Sequence, residues 1–480
     1  MEMPHTTPTR RRLLAAGVLL GLTALAGAAS RSREATPPPT NTALRFTGTG
    51  SGLVTFTGQL DRAAVRTGGD GLVRMELLLG AKNFIEQARR RRPADIVVVL
   101  DRSGSMEGDK LVHARAAVAE LIQQLDPRDR FALISYADDA EMTIPLAAVS
   151  PEARSGWLTT VAGLGTLGGT NMSSGLDLAL SAMQASGAAG RVARTILISD
   201  GLANQGDSSP EGLVARARRV ARSEWALTTV GVGSDFNEYL MTALADAGTG
   251  NYYFVERATD LGDVFAREFG TASTTVASAV EVEIAPAAGV RVVDAGGYPL
   301  ETTGDGHVVF RPGTLFAGQE RRIWVTLAVP QDAVGERDLG RFALAYKDGD
   351  TARRVAFAET PRVACVADDD AFFAGVDTQT WERAVVVEEF NKMQDTVARQ
   401  VAAGKRDEAA ATVKKFRTDT GKLNDRLRSK DVAQKLESLG ALEARVDDAF
   451  QGADQKGKQN RLSKSGSAAA YDARRPGGKY

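Results

Sequence analysis

An α/β fold is predicted, with a doubly wound, mostly parallel sheet inserted in or flanked by a β-sandwich and followed by a C-terminal helical region. Three observations predict it. Strand-like and helix-like segments alternate between residues 93 and 272, as they do when parallel strands are joined by crossover helices. Short runs of alternating polarity with glycine-rich turns lie on both sides of that region, in residues 45–92 and 278–366. From residue 368 to 451 the composition shifts to Ala, Lys, Glu and Arg with apolar residues at helical spacing.

The α/β region is organised around Asp95-Ile96-Val97-Val98-Val99-Leu100-Asp101-Arg102-Ser103-Gly104-Ser105-Met106. Its apolar, mostly β-branched residues run without alternation, as in a strand buried on both faces, and stop at a carboxylate. Ser103 and Ser105 follow at alternate positions, with Gly104 permitting a tight turn between them. Past Gly108 a helical pattern begins, marked by Leu111, Val112, Ala116, Val118 and Leu121. One carboxylate and two hydroxyls therefore share a strand-to-helix loop and offer the hard oxygen atoms that Mg²⁺ selects. Two later segments repeat the design. Gly168-Gly169-Thr170-Asn171 precedes a helical run from Ser174, and Thr195-Ile196-Leu197-Ile198-Ser199-Asp200 is a second apolar strand ending on an aspartate. Ligands of open parallel sheets bind outside the carboxyl ends of the strands, which is where Asp101, Ser103, Ser105, Thr170 and Asp200 are placed to meet. Alone, Asp-x-Ser-x-Ser is equally the pattern of a turn with hydroxyl caps. The buried strand before it and the two matching loops, in order, set this one apart.

With those residues in place, the segment resembles the von Willebrand factor type A (VWA) domain, a Rossmann-like fold, and its metal-ion-dependent adhesion site (MIDAS). The family pattern is Asp-x-Ser-x-Ser, then a separate Thr, then a separate Asp, matched here by Asp101, Ser103, Ser105, Thr170 and Asp200. The resemblance implies that these five hold one divalent cation, Mg²⁺ or else Mn²⁺ or Ca²⁺, and that the cation recognises an exposed Asp or Glu of a protein partner. A competing motif lies inside the same region: Gly163-Leu164-Gly165-Thr166-Leu167-Gly168 fits the dinucleotide fingerprint Gly-x-Gly-x-x-Gly. That fingerprint needs a strand before it, whereas Arg154 to Val161 reads as helix, so no nucleotide is expected and the glycines are read as the loop presenting Thr170.

The remaining chain is read in order. Residues 1–29 carry Arg10-Arg11-Arg12, a short apolar run and the small residues Gly27-Ala28-Ala29, the layout of an export signal peptide. The apolar run is short for a membrane span, so membrane contact is expected only in transit, and the arginines resemble those of a twin-arginine signal. The resulting expectation is an exported bacterial protein in the periplasm, at the cell surface or outside the cell. Residues 30–44, with Pro37-Pro38-Pro39, read as an extended linker. The strands of 45–92 are too few for a core of their own, so they are expected to complete one sandwich with 278–366, leaving the α/β region of 93–272 between them. Arg89 to Arg92 read as a solvated connector. Stripes such as Phe390, Met393, Val397 and Val401 are read as helix-packing faces of 368–451, with Gly404, Gly421 and Gly440 as interruptions. The polar stretch 452–480 is expected to be disordered.

Composition narrows the function. The chain has 480 residues and a formal net charge of -1, which speaks against a nucleic-acid binder. Its single cysteine, Cys365, allows neither an internal disulfide nor a cysteine-rich metal site. The three histidines, His5, His113 and His307, are scattered through an export segment, a helix and a β region. No serine–histidine elbow or phosphate loop accompanies them, so a metal-dependent hydrolase is the weaker reading and a metal-dependent adhesion module the stronger. An assembly factor for an ATPase or envelope complex is the alternative. If the export reading holds, N-terminal sequencing of protein from cell fractions should find a mature start near Ala29 outside the cytoplasm, and a soluble cytoplasmic form retaining Met1 would refute it.

Overall fold

A computed structural model describes residues 44–82, 93–184, 191–200, 203–223, 225–232, 237–255, 260–265 and 275–474. The export segment, the linker up to residue 43 and the basic run Arg89 to Arg92 lie outside the described residues. Six strands form the inner sheet, in the order Thr249–Val255, Ala226–Val232, Val192–Ser199, Ala94–Asp101, Arg130–Tyr136 and Ala140–Ala148. All neighbours are parallel except the last pair, where Ala140–Ala148 adds an antiparallel edge.

The strand Ala94–Asp101 is central, and every one of its residues is buried. Ile96, Val98 and Leu100 enter a core with the helices Asp109–Gln124 and Pro151–Ala162. Val97 and Val99 enter a second core on the opposite face, with Met172–Gln184, Pro210–Arg222 and Glu238–Ala247. Period-2 alternation therefore divides one apolar run between two cores, each fully buried Val, Ile or Leu contributing about 1.5–3 kcal/mol. In the helix Asp109–Gln124 the buried face is Leu111, Ala114, Ala117, Val118, Leu121 and Ile122. Of the expected stripe Leu111, Val118 and Leu121 are buried, whereas Val112 is 49% exposed and Ala116 also faces solvent, which corrects those two positions.

Most flanking strands join one eleven-stranded antiparallel sheet, while Ala64–Arg66, Arg362–Val366 and Gly335–Asp338 form a separate three-stranded one. Leu72–Ala81 pairs along its length with Glu320–Ala328, so segments before and after the α/β domain meet in one sheet and the domain is inserted between them. The strand Arg45–Thr49 turns the sheet over its own core. Arg45, Phe46 and Thr47 pair with Gly58 and its neighbours, whereas Gly48 and Thr49 pair with Phe357 and Ala356. A Cβ at Gly48 would lie 2.6 Å from Val355 Cγ1 and 2.9 Å from the Phe56 carbonyl oxygen, so the crossing needs glycine. Phe357 holds the two halves together, stacking on Phe46, Phe56 and Phe342 at centroid distances of 5.7, 4.7 and 5.6 Å.

The C-terminal region contains the helices Phe390–Ala402, Arg406–Leu427 and Lys430–Ala449. Gly421 and Gly440 lie inside the second and third of these with open space around them, correcting their reading as interruptions. The disorder expected of 452–480 is corrected for Gln455–Arg474, which is a helix, and residues 475–480 lie outside the described residues. This helix docks through small residues, which a search for large apolar stripes passes over. A Cβ at Gly466 would lie 2.8 Å from Ala398 Cβ, so the two helices touch backbone to side chain there. Leu462 and Ser463 are buried, and Tyr239 and Ser463 share a 2.6 Å hydrogen bond that ties this helix to the α/β domain.

Phe56→Ala should destabilise the antiparallel sheet by about 3–5 kcal/mol. Amide exchange should then lose protection in Val54–Leu60 and Leu72–Ala81, whereas Ala94–Asp101 keeps its own.

Candidate metal centre

The carboxyl ends of Ala94–Asp101 and Val192–Ser199 are neighbours in the sheet, which places Asp101 beside Asp200. Both side chains are almost wholly buried, Asp101 at 0% and Asp200 at 1% exposure. Asp101 is held from two sides. Its Oδ1 accepts the Ser103 backbone N–H at 2.8 Å, and its Oδ2 accepts the Ser199 hydroxyl at 2.7 Å and the Tyr136 phenol at 3.3 Å. Burial pushes the Asp101 carboxyl above its ordinary value; the hydrogen bonds from Ser103 and Ser199 pull the other way, and Asp200 adds to the rise. Burial, with the Asp101 charge beside it, also holds the Tyr136 phenol well above its usual range, so it stays a donor to Asp101.

From there an oxygen chain runs outward. Ser103 Oγ and Ser105 Oγ are 3.1 Å apart, and Ser105 Oγ donates to Asp200 Oδ1 at 2.8 Å. The second Asp200 oxygen is paired with the Lys110 ammonium, which also donates to the Ser105 carbonyl at 3.2 Å. Gly104 N–H donates to the Gly168 carbonyl and Leu167 N–H to the Arg102 carbonyl, at 3.1 and 2.7 Å, which clasps the Thr170 loop against the Asp-x-Ser-x-Ser turn. Thr170 is buried, and its backbone N–H donates to Asn204 Oδ1 at 2.9 Å. Asp138 completes the clasp by accepting from Gly169 N–H at 2.7 Å and from Gln205 Nε2 at 2.6 Å. Asp101, Ser103, Ser105 and Asp200 thus form one contact chain, and Thr170 sits on the loop pinned to it.

The donor set suits a hard cation. Cis oxygens around an octahedral Mg²⁺ lie about 3.0 Å apart, √2 times a bond of roughly 2.1 Å, and the two links of the chain measure 3.1 and 2.8 Å. Among the described residues, no three His, Cys, Asp or Glu side chains gather in a way that could hold a metal ion. A site here has to draw on hydroxyls, which argues against zinc.

Tyr136, Ser199, Asn204, Asp138 and Lys110 support the site and are absent from the sequence-derived set. Ser199 and Asn204 flank Asp200 closely enough to have been suspected. Tyr136 reaches it from the end of the neighbouring strand and Asp138 from the turn that follows, both brought alongside by the pairing of Ala94–Asp101 with Arg130–Tyr136.

Residues 95–267 match the family model for the von Willebrand factor type A domain, and this segment is a VWA domain. The chain is 30% identical over 193 residues to the uncharacterised protein YfbK of Escherichia coli, a match covering 40% of this chain and 33% of that protein. It is 29% identical over 168 residues to the human inter-alpha-trypsin inhibitor heavy chain H4, covering 34% of this chain and 18% of that one. The chain therefore spans a third or less of these relatives. The solved von Willebrand factor type A structure from Catenulispora acidiphila superposes with a TM-score of 0.63 over 89% of this chain and 98% of that one, at 16% identity, a likeness of fold.

Asp101 carries a signed pH consequence. A carboxyl whose folded pKa lies above its ordinary 3.8 stabilises the fold most below that value and progressively less as pH rises through the folded pKa. Without metal at neutral pH its charge is a cost. Asp101→Asn should therefore raise the melting midpoint in chelator while removing any stabilisation by Mg²⁺, as read by parallel melts with and without the cation.

Proposed function

We propose that this protein is a binding module that recognises an acidic residue of a partner protein through a divalent cation held by Asp101, Ser103, Ser105, Thr170 and Asp200. The observation that carries this reading is the oxygen chain from Ser103 through Ser105 to Asp200, with Asp101 buried beside it. Two carboxylates balance the formal charge of a divalent ion, and hydroxyls donate weakly. When bound, the cation supplies an electrophilic position that a partner carboxylate can fill, and excluding water from that contact strengthens it. The chain's own part is to hold the oxygens in place. Tyr136 and Ser199 orient Asp101, and Asn204 and Asp138 fix the loop of Thr170. The first turn of Asp109–Gln124 lies beside the site, since Lys110 contacts Asp200 and Ser105, and a helix N-terminus favours an incoming anion. Mg²⁺ fits the oxygen spacing, with Mn²⁺ or Ca²⁺ as substitutes, and the N-terminal sequence, read as an export signal, supports a module that acts in the periplasm, at the cell surface or outside the cell.

Hydrolysis at the same site would need a general base beside the cation. His307 is committed elsewhere, in contact with Glu283 at 2.6 Å in the antiparallel sheet, and His113 is half-buried on a helix. These positions favour binding over catalysis, as does a relative named as an inhibitor heavy chain.

Partner capture from envelope extract should depend on Mg²⁺ and be lost in chelator. Asp200→Ala and Thr170→Ala should each lower it at least tenfold while circular dichroism stays unchanged. Capture that persists in all of these would move the interface to the C-terminal helices and make any bound metal structural.

A further inference from the structure

We propose that Lys110 is a tethered counter-cation of the metal site: its ammonium holds Asp200 while the site is metal-free, and it must leave that carboxylate before a divalent cation can take it. The inference rests on reading Asp101, Ser103, Ser105, Thr170 and Asp200 as a metal site, and it assigns a role to a residue outside that set.

Two buried carboxylates lie side by side at the ends of adjacent strands, Asp101 at 0% and Asp200 at 1% exposure. Like charges so placed raise each other's cost of ionisation. Among the described residues, Asp101 is relieved by neutral donors, the Ser103 N–H, the Ser199 hydroxyl and the Tyr136 phenol. Asp200 receives one neutral donor, the Ser105 hydroxyl, on Oδ1, and the Lys110 ammonium on Oδ2. Among the described residues, Lys110 thus brings a full positive charge to the centre of the cluster. Arg102, the other cation of this loop, is turned outward onto Glu141 at 2.7 Å.

Lys110 is also built to move. It belongs to the first turn of Asp109–Gln124, its side chain is 32% exposed, and its other contact is the Ser105 backbone carbonyl. Four flexible methylenes let the ammonium swing into solvent without disturbing the helix or emptying a core. A divalent ion and an ammonium compete for the same carboxylate oxygen and repel each other across a site of low dielectric. Occupancy by one therefore excludes the other. The consequence is a site that keeps its loops assembled between loading events and binds its cation less tightly than the same oxygens would alone.

The test uses the full chain as wild type, Lys110→Met and Lys110→Arg, with Mg²⁺ and Mn²⁺ as probes. In calorimetry Lys110→Met should bind either ion about tenfold more tightly than wild type, and Lys110→Arg should stay within a few-fold of wild type because it retains the charge. In chelator, Lys110→Met should melt below wild type, and its gain on adding Mg²⁺ should be the larger. Independently, in the wild-type protein, modification of Lys110 by an amine-reactive reagent, followed by peptide mass mapping, should rise on saturation with Mg²⁺. Equal or weaker metal binding by Lys110→Met, or labelling indifferent to Mg²⁺, overturns the role of Lys110 and leaves the metal site standing. If none of the three proteins binds either ion, the metal-site reading itself fails, and this proposal with it.

Discussion

Burying two carboxylates next to each other is the constraint on which the functional end of this protein depends. A charge at the tip of a strand covered on both faces has little water to solvate it, so the surrounding loops have to supply polar partners. They do so in a definite order: Tyr136 and Ser199 on the inner side of Asp101, the Ser103 N–H beneath it, and Ser105 and Lys110 on Asp200. The three loops that carry these groups come from different strands and helices, and their mutual clasp through Gly104, Gly168, Asp138 and Gln205 follows from the need to satisfy one small cluster.

The rest of the architecture provides a rigid platform for that cluster. Central placement of Ala94–Asp101, with parallel partners on both sides, fixes the height at which its aspartate emerges. The inserted topology then holds the domain at both ends, because Leu72–Ala81 and Glu320–Ala328 are sheet partners. Further ties run across the body of the protein. Arg222 meets Glu301 of the antiparallel sheet at 3.2 Å, and the last helix reaches Tyr239 through Ser463. The first is an exposed ion pair of small energetic value. Burial of Ser463 and Leu462 against neighbouring helices makes the second the firmer link.

The last helix illustrates how small residues can add to packing beside a buried leucine, Leu462. Gln455–Arg474 has glycine and serine where another helix would carry leucine, and it gains contact by close approach to Ala398. Propensity alone speaks against such a segment, and tertiary contact overrides it. The interior glycines Gly421 and Gly440 show the same override, each costing about 1 kcal/mol relative to alanine within helices that their apolar faces secure.

By itself, the sequence determined that a buried strand ends on Asp101, that Ser103 and Ser105 follow on a turn, and that Thr170 and Asp200 lie in comparable loops. These are local statements, written in β-branched runs, glycine placement and helical spacing, and short-range sterics suffice to read them. It determined as well that β segments flank the α/β region, since alternation shows in any half-buried strand. Only the tertiary structure decided that Leu72–Ala81 pairs with Glu320–Ala328, that Tyr136 and Asp138 turn toward the site, that Lys110 reaches back to Asp200, and that residues 455–474 are helical. Each of these joins residues distant in the chain or depends on which face of an element meets a neighbour. No periodicity encodes that, because it is set by how the whole core closes.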